Sequence, residues 1–264
     1  MEVNQVNLNG EELINLTNDT VSEDTLLYGA TAHDASGNQI TGSYIPYSPN
    51  LLDNPDFLIN QTGIYRTIYE QGDYICDRWQ YIDGTITFNA DYSITLNGTI
   101  AQILEEDIGD DFLAYANAGT ASYDPSTRTY TITASGDTIK WAMLINGKVQ
   151  VPFNKSDPAT NLMRCQRHNL VIKGVTRYGS DTAVGSNIDF LIPIPTSMRT
   201  LPSLIASSLK VKTTANVEVE GFTFAIVAHR ANYVNVRATK TAHGMTAALL
   251  EIPSGAYMKF DANL

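Results

Sequence analysis

The chain has 264 residues, 43% of them hydrophobic, which is enough for one large or two ordinary domains plus an appendage, with a real core. Charged residues are only 17%, below the roughly 25% usual for soluble proteins, so Thr, Ser, Asn and Gly must supply polar surface, as suits short strands and turns. A net charge of −11 argues against a nucleic-acid backbone or an anionic bilayer as partner and is compatible with neutral or weakly charged glycans.

Residues 1–44 read as a small, punctuated N-terminal element. Met1 to Gln5 carries no positive n-region and no apolar stretch, which argues against a signal peptide. No run of about 18 apolar residues follows anywhere, so no membrane insertion is expected. Val6 to Gly10 reads as a strand entering a turn. Ser22 is placed to cap a short helix ending in Thr25-Leu26-Leu27-Tyr28, with Gly29 to stop it. Ser36-Gly37-Asn38 predicts a turn before Gln39 to Gly42. A segment of about 45 residues lies below the size that usually folds unaided, so neighbours or self-association should stabilise it.

Residues 45–50 read as a linker, because Pro46 and Pro49 hold the chain extended. Residues 51–156 carry β signals throughout. Asn97-Gly98 and Asn146-Gly147 each sit between alternating segments, the pattern of a tight hairpin whose turn residues accept positive φ. Thr129 to Thr133 alternates cleanly. Short strands with frequent turns predict a jelly-roll-like β-sandwich.

In residues 157–264, Asp157-Pro158 opens the one good helix, with an N-cap side chain and a proline suited to the first helical position. Strands are expected at about 188–194, 204–212, 217–227, 233–239, 247–252 and 257–260. This half either forms a second small β domain or completes the first sandwich. The predicted class is therefore mainly β, an N-terminal attachment element followed by jelly-roll-like sandwich domains with one short helix.

Chemistry-bearing patterns are sparse. The four histidines, His33, His168, His229 and His243, show no zinc spacing, and no nucleophile elbow, P-loop or dinucleotide fingerprint occurs. The run Glu105-Glu106-Asp107-Ile108-Gly109-Asp110-Asp111 reads first as a solvated loop. Calcium binding through Asp107, Asp110 and Asp111 is the second reading, and a glycosidase carboxylate pair the third. Cys76 and Cys165 read as buried thiols, with a disulfide as the alternative. Fourteen tyrosines against eight phenylalanines suit both strand packing and stacking on sugar rings. Trp79 reads as core. Tyr115, Trp141 and Tyr233 are the candidate ligand contacts, chosen for aromatic type and loop-side position.

Three stretches resemble one known group. Asp19-Thr20-Val21, Leu26-Leu27-Tyr28-Gly29, Thr31-Ala32-His33-Asp34 and Gly37 to Gly42 resemble a short element repeated in phage tail and minor structural proteins. Asn50-Leu51-Leu52-Asp53-Asn54-Pro55-Asp56-Phe57, Ile59-Asn60-Gln61, Gly63 and the stretch from Tyr74 to Asp77-Arg78-Trp79 resemble the opening of bacteriophage tail-fibre domains, with Thr62 where that pattern has Arg. Arg164-Cys165-Gln166-Arg167, Pro193, Pro195 and Met198-Arg199 to Pro202 resemble the later part of the same proteins, with His168 and Asn169 where tyrosines are usual. The matches run in family order over most of the chain.

The resemblance to these virion fibre and receptor-binding proteins implies a non-enzymatic virion protein. It would attach to other virion proteins through the N-terminal element, assemble as a homotrimer and bind bacterial surface polysaccharide. A capsid-decorating head fibre with the same domains is the alternative, and a glycan depolymerase a more distant one. No cofactor is implied, calcium apart. Arg78 beside Asp77 is expected to form an ion pair at a sandwich edge, with Pro193 and Pro195 at a strand entering an edge.

Overall fold

The structure is a computed structural model and describes residues 3–44, 49–183 and 185–263. The chain is mainly β, with several antiparallel sheets and a single short helix among the described residues. The expected linker falls partly outside the described residues, at positions 45–48.

The N-terminal segment holds two hairpins. Strands β1 (Gln5–Leu8) and β2 (Glu11–Asn15) pair around a turn at Asn9 and Gly10, both at positive φ. Strands β3 (Thr31–His33) and β4 (Gln39–Thr41) pair around Asp34, whose carboxylate accepts the Ser36 and Asn38 amides, both at 2.9 Å. The helix expected after Ser22 does not form. The Ser22 carbonyl takes the Thr25 and Leu26 amides, and the chain then leaves as a bend to bridge Tyr44. A helix nucleus of one turn has nothing to propagate it here.

Next come β5 (Tyr74–Cys76), β6 (Trp79–Phe88), β7 (Ile94–Ile103), β8 (Phe112–Ala116), β9 (Thr120–Asp124), β10 (Thr129–Ile139) and β11 (Ala142–Asn146). Five of them form one sheet in the order β5-β6-β7-β10-β9, while β8 pairs with β11. Buried side chains alternate over the first half of β10, as a half-buried strand requires. Between them lies a core in which Trp79 packs against Phe57 and Tyr130, at 4.9 and 5.9 Å between ring centroids. Trp79 Nε1 donates to the Asn54 carbonyl at 2.8 Å, so the indole is buried with its donor satisfied.

Asn97-Gly98 is not a hairpin turn. Both residues lie inside β7, where Gly98 faces Gly84 of β6 and Ala134 of β10. Gly84 and Gly98 are both at positive φ, and a Cβ on either would run into the other strand's backbone. The glycines therefore serve a close crossing, with register shifts beside it at Tyr81/Asp83 and Ser135/Asp137 that increase the local twist. Asn146-Gly147 does end β11, but residues 148–151 form a loop and no return strand.

Helix α1 (Pro158–Gln166) is capped by Asp157, which accepts the Thr160 amide at 2.8 Å. Beyond it lie β12 (Asn169–Lys173), β13 (Thr176–Ala183), β14 (Asn187–Pro193), β15 (Ser203–Ala206), β16 (Lys210–Lys212), β17 (Glu218–Val219), β18 (Thr223–Arg230), β19 (Tyr233–Thr239), β20 (Ala247–Glu251) and β21 (Tyr257–Asp261). A seven-stranded sheet runs β17-β16-β20-β13-β14-β19-β18, and a three-stranded one runs β12-β21-β15. Residues 170–262 enclose their own apolar cluster, including Phe190, Val234, Val236 and Phe260. Pro193 closes β14, an interior strand, and lies opposite Tyr233 at the strand's end, so the edge position expected for it is not found. Cys76 and Cys165 are both buried free thiols.

Candidate functional site: two clefts on one seam

The stretches singled out by resemblance converge where the first β unit, α1 and the C-terminal strands meet. Asn50 works as a backbone splint, its amide accepting from the Leu52 and Leu144 amides and donating to the Ala142 carbonyl at 2.8 Å. Asn54 sits at φ 50° and donates to the carbonyls of Ile59 and Asp77, each at 2.9 Å. The backbone amide of Asn54 is taken by Asn161 of α1 at 2.8 Å. These residues satisfy backbone groups that an irregular buried segment would otherwise leave unpaired.

Asp53 is the hub of a charge cluster. Its Oδ1 lies 2.7 Å from Arg164 Nε and its Oδ2 3.0 Å from Arg78 Nε. Arg78 pairs with Asp53 rather than with Asp77 beside it, and it is 2% exposed rather than at a sheet edge. Its guanidinium also donates to the Ile103 carbonyl, as a buried fork must. Glu105 gathers Arg167 at 2.9 Å, His168 Nε2 at 2.9 Å and Arg199 Nε at 3.8 Å. Arg199 donates in turn to the carbonyl of Ala262, just past β21, at 3.2 Å, which ties the end of that strand to the cluster. Burial, reinforced by the charges of Arg78, Arg199, Arg167 and Arg164, pushes His168 down to about 2, so its imidazole is neutral. The cluster encloses a cavity of about 250 Å³ walled also by Leu51, Leu104 and Ile108. Nearly every charge in it already has a partner of opposite sign or a carbonyl, and this is the arrangement of a structural clamp.

A second cleft, of about 360 Å³, opens on the same seam. Tyr69, Tyr74 and Tyr257 line it together with Asp73, Asp77, Asp261, Arg66 and Lys259. The loop before β5, β5 itself and the strand β21 all contribute to its lining. Arg66 pairs with Asp73 at 2.8 Å and Lys259 with Asp261 at 2.7 Å, while the Lys259 ammonium stands 5.8 Å over the Tyr74 ring. Asp77 is deeply buried, and burial pushes its carboxyl up to about 6 against the opposing hydrogen bonds of Gln61 and Asn169. Burial also pushes the Tyr74 phenol up to about 12. The cleft offers aromatic faces and carboxylate acceptors in a setting where formal charges are largely matched. That combination suits a neutral, hydroxyl-rich ligand better than a strongly charged one.

Tyr115 and Trp141 do come together, at 6.1 Å between ring centroids. They belong to a satellite cluster in which Phe153 stacks flat on Trp141 at 5.1 Å and the Tyr115 hydroxyl donates to the Val151 carbonyl at 2.7 Å. Tyr233 lies on another sheet, at the start of β19. The acidic run is mostly exposed. Asp107 accepts the Gly109 amide at 2.9 Å, Asp110 is exposed, and Asp111 stands 3.7 Å from Lys148. Among the described residues no group of three or more His, Cys, Asp or Glu side chains could hold a metal ion. Of the run, Glu105 makes the ion pairs of the clamp, and Glu106 and Ile108 line its cavity.

Tyr69 and Tyr257 carried no signal in the sequence beyond the abundance of tyrosine, and Tyr74 none beyond the resemblance of the stretch it opens, since the fold alone joins them. Comparison with known proteins finds no matching family model, no similar curated protein and no similar solved structure.

Proposed function

We propose that this chain is a structural protein of a bacteriophage particle, tail-fibre-like, that holds a bacterial surface polysaccharide in the tyrosine-lined cleft without cutting it. The N-terminal segment attaches it to the particle, and assembly as a trimer turns later sugar contacts into intramolecular ones. The observation that carries this reading is the cleft itself. Tyr74 and Tyr257, both half-buried, line one opening with Asp73 and Asp261, each paired to a cation, while Tyr69 and Asp77 lie buried behind them. Rings supply flat apolar faces for sugar C–H groups, and carboxylates accept hydroxyl protons. The sequence resemblance points to the same role.

The test is binding of the purified chain to a panel of bacterial cells and their extracted polysaccharides, with released reducing ends assayed in the same tubes. Saturable binding without release, weakened on the order of tenfold by Tyr257→Ala, supports the reading. Release of reducing ends overturns the non-enzymatic assignment. If nothing binds, the decorating-fibre reading replaces adsorption, and antibody labelling of intact particles locates the protein on head or tail.

A further inference from the structure

The N-terminal segment is an incomplete structure. No hydrophobic side chain among residues 3–44 is buried. Leu8, Leu13, Ile14 and Tyr28 are each at least half exposed, at 58%, 56%, 50% and 52%. Its two hairpins are separate two-stranded sheets, and among the described residues the segment's hydrogen bonds run within it. Two-stranded hairpins without a covering layer are marginal in water. Leu13 and Ile14, adjacent on β2, leave by opposite faces, so both faces of this hairpin carry exposed apolar side chains of the kind that another molecule covers.

Charge decides what covers it. Residues 1–44 carry seven acids, Glu2, Glu11, Glu12, Asp19, Glu23, Asp24 and Asp34, and no Lys or Arg. The first lysine or arginine of the chain is Arg66. A second copy of the segment would set seven carboxylates against seven with nothing to neutralise them, and an anionic lipid surface would be repelled in the same way. A surface bearing lysines or arginines around an apolar patch meets both features at once.

We infer that residues 3–44 dock onto a second protein whose contact surface is apolar at its centre and basic at its rim. This rests on the attachment half of the function proposed above and is independent of the sugar cleft.

The probe is a fluorescent amphipathic peptide of leucine and lysine, compared with a leucine–glutamate and a serine–lysine peptide of equal length. Each is titrated with the full chain at low and high ionic strength. The expected result is binding of the leucine–lysine peptide alone, weakened on the order of tenfold by salt, by Leu13→Ser with Ile14→Ser, and by Glu11→Gln with Glu12→Gln. Those side chains are exposed, so circular dichroism of both variants should match the parent. Equal binding of the leucine–glutamate peptide overturns the basic partner. So does self-association in the ultracentrifuge that the Leu13/Ile14 variant abolishes, since the cover is then a second copy, and in either case attachment by this segment stands. Binding and self-association indifferent to both variants overturn the docking surface and the attachment reading together.

Discussion

Asp53 and Arg78, twenty-five residues apart in the chain, meet in a 3.0 Å ion pair from which solvent is almost excluded. The pair joins the segment entering the first β unit to the start of β6, and Arg164 brings α1 to the same carboxylate. Breaking a buried pair strands the remaining charge. Arg78→Met should therefore lower stability by about 3–5 kcal/mol in denaturant unfolding. Arg167→Ala should cost about 1 kcal/mol or less, because that arginine is half exposed. Equal losses for the two would mean that the clamp is not centred on Asp53.

Asp77 and His168 make opposite contributions to the pH dependence of stability. Asp77 has its folded value raised to about 6, so its proton is held more tightly in the folded chain. Its contribution is full below the unfolded value of 3.8 and is lost as pH rises to about 6. His168 has its folded value lowered to about 2, so below its unfolded value of 6.5 the unfolded chain gains the proton and stability falls as pH falls. Between these limits the two slopes offset each other. Asp77→Asn should expose the histidine's slope, a gain approaching 1.4 kcal/mol per pH unit up to about pH 6. His168→Gln should expose the opposite slope. Urea melts at stepped pH check both signs.

The crossing of β6 and β7 should be intolerant of any side chain. Gly98→Ala puts a Cβ into the Asp83 backbone as well as the Gly84 Cα. Gly147→Ala meets no atom within 4 Å and suffers only its φ of 92°. The loop variant should lose about 1 kcal/mol and the strand variant several times that, by thermal or chemical unfolding. Similar losses would show that the strands part easily.

Calcium should not stabilise the chain. Asp107 and Asp111 are engaged separately, in a turn and with Lys148, and no metal-holding group is present among the described residues. The melting temperature should be the same with added calcium and with chelator. A rise that disappears in Asp107→Asn with Asp110→Asn would restore the acidic loop as a cation site.

The class of fold was legible because it depends on local pattern. Period-two alternation marked β10 and β19, and Asp157-Pro158 marked α1. Asn97-Gly98 misled because the same dipeptide that permits a turn also permits a close strand crossing, and only the partner strand distinguishes them. Strands β12 and β13 are hard to see in the sequence, because Gly174 separates them and Gly179 lies inside β13. Gly179 is required because the Phe190 ring lies where its Cβ would be. The motifs Asn50 to Phe57, Asp77-Arg78-Trp79 and Arg164 to Arg167 were visible, but not that they meet in one clamp. The cleft was less legible still, since Tyr69 and Tyr257 are far apart in the sequence.

The absence of lysine and arginine before Arg66 also sets what common reagents report. Trypsin has no cleavage site in the N-terminal segment, so its resistance to that protease says nothing about whether it is folded or covered. Side-chain amine labels react from Lys140 onward and leave the acidic segment unmarked. A protease that cuts after carboxylates, or a carboxyl-directed crosslinker, is the reagent that reads this segment, and protection there on adding a partner would trace its footprint residue by residue.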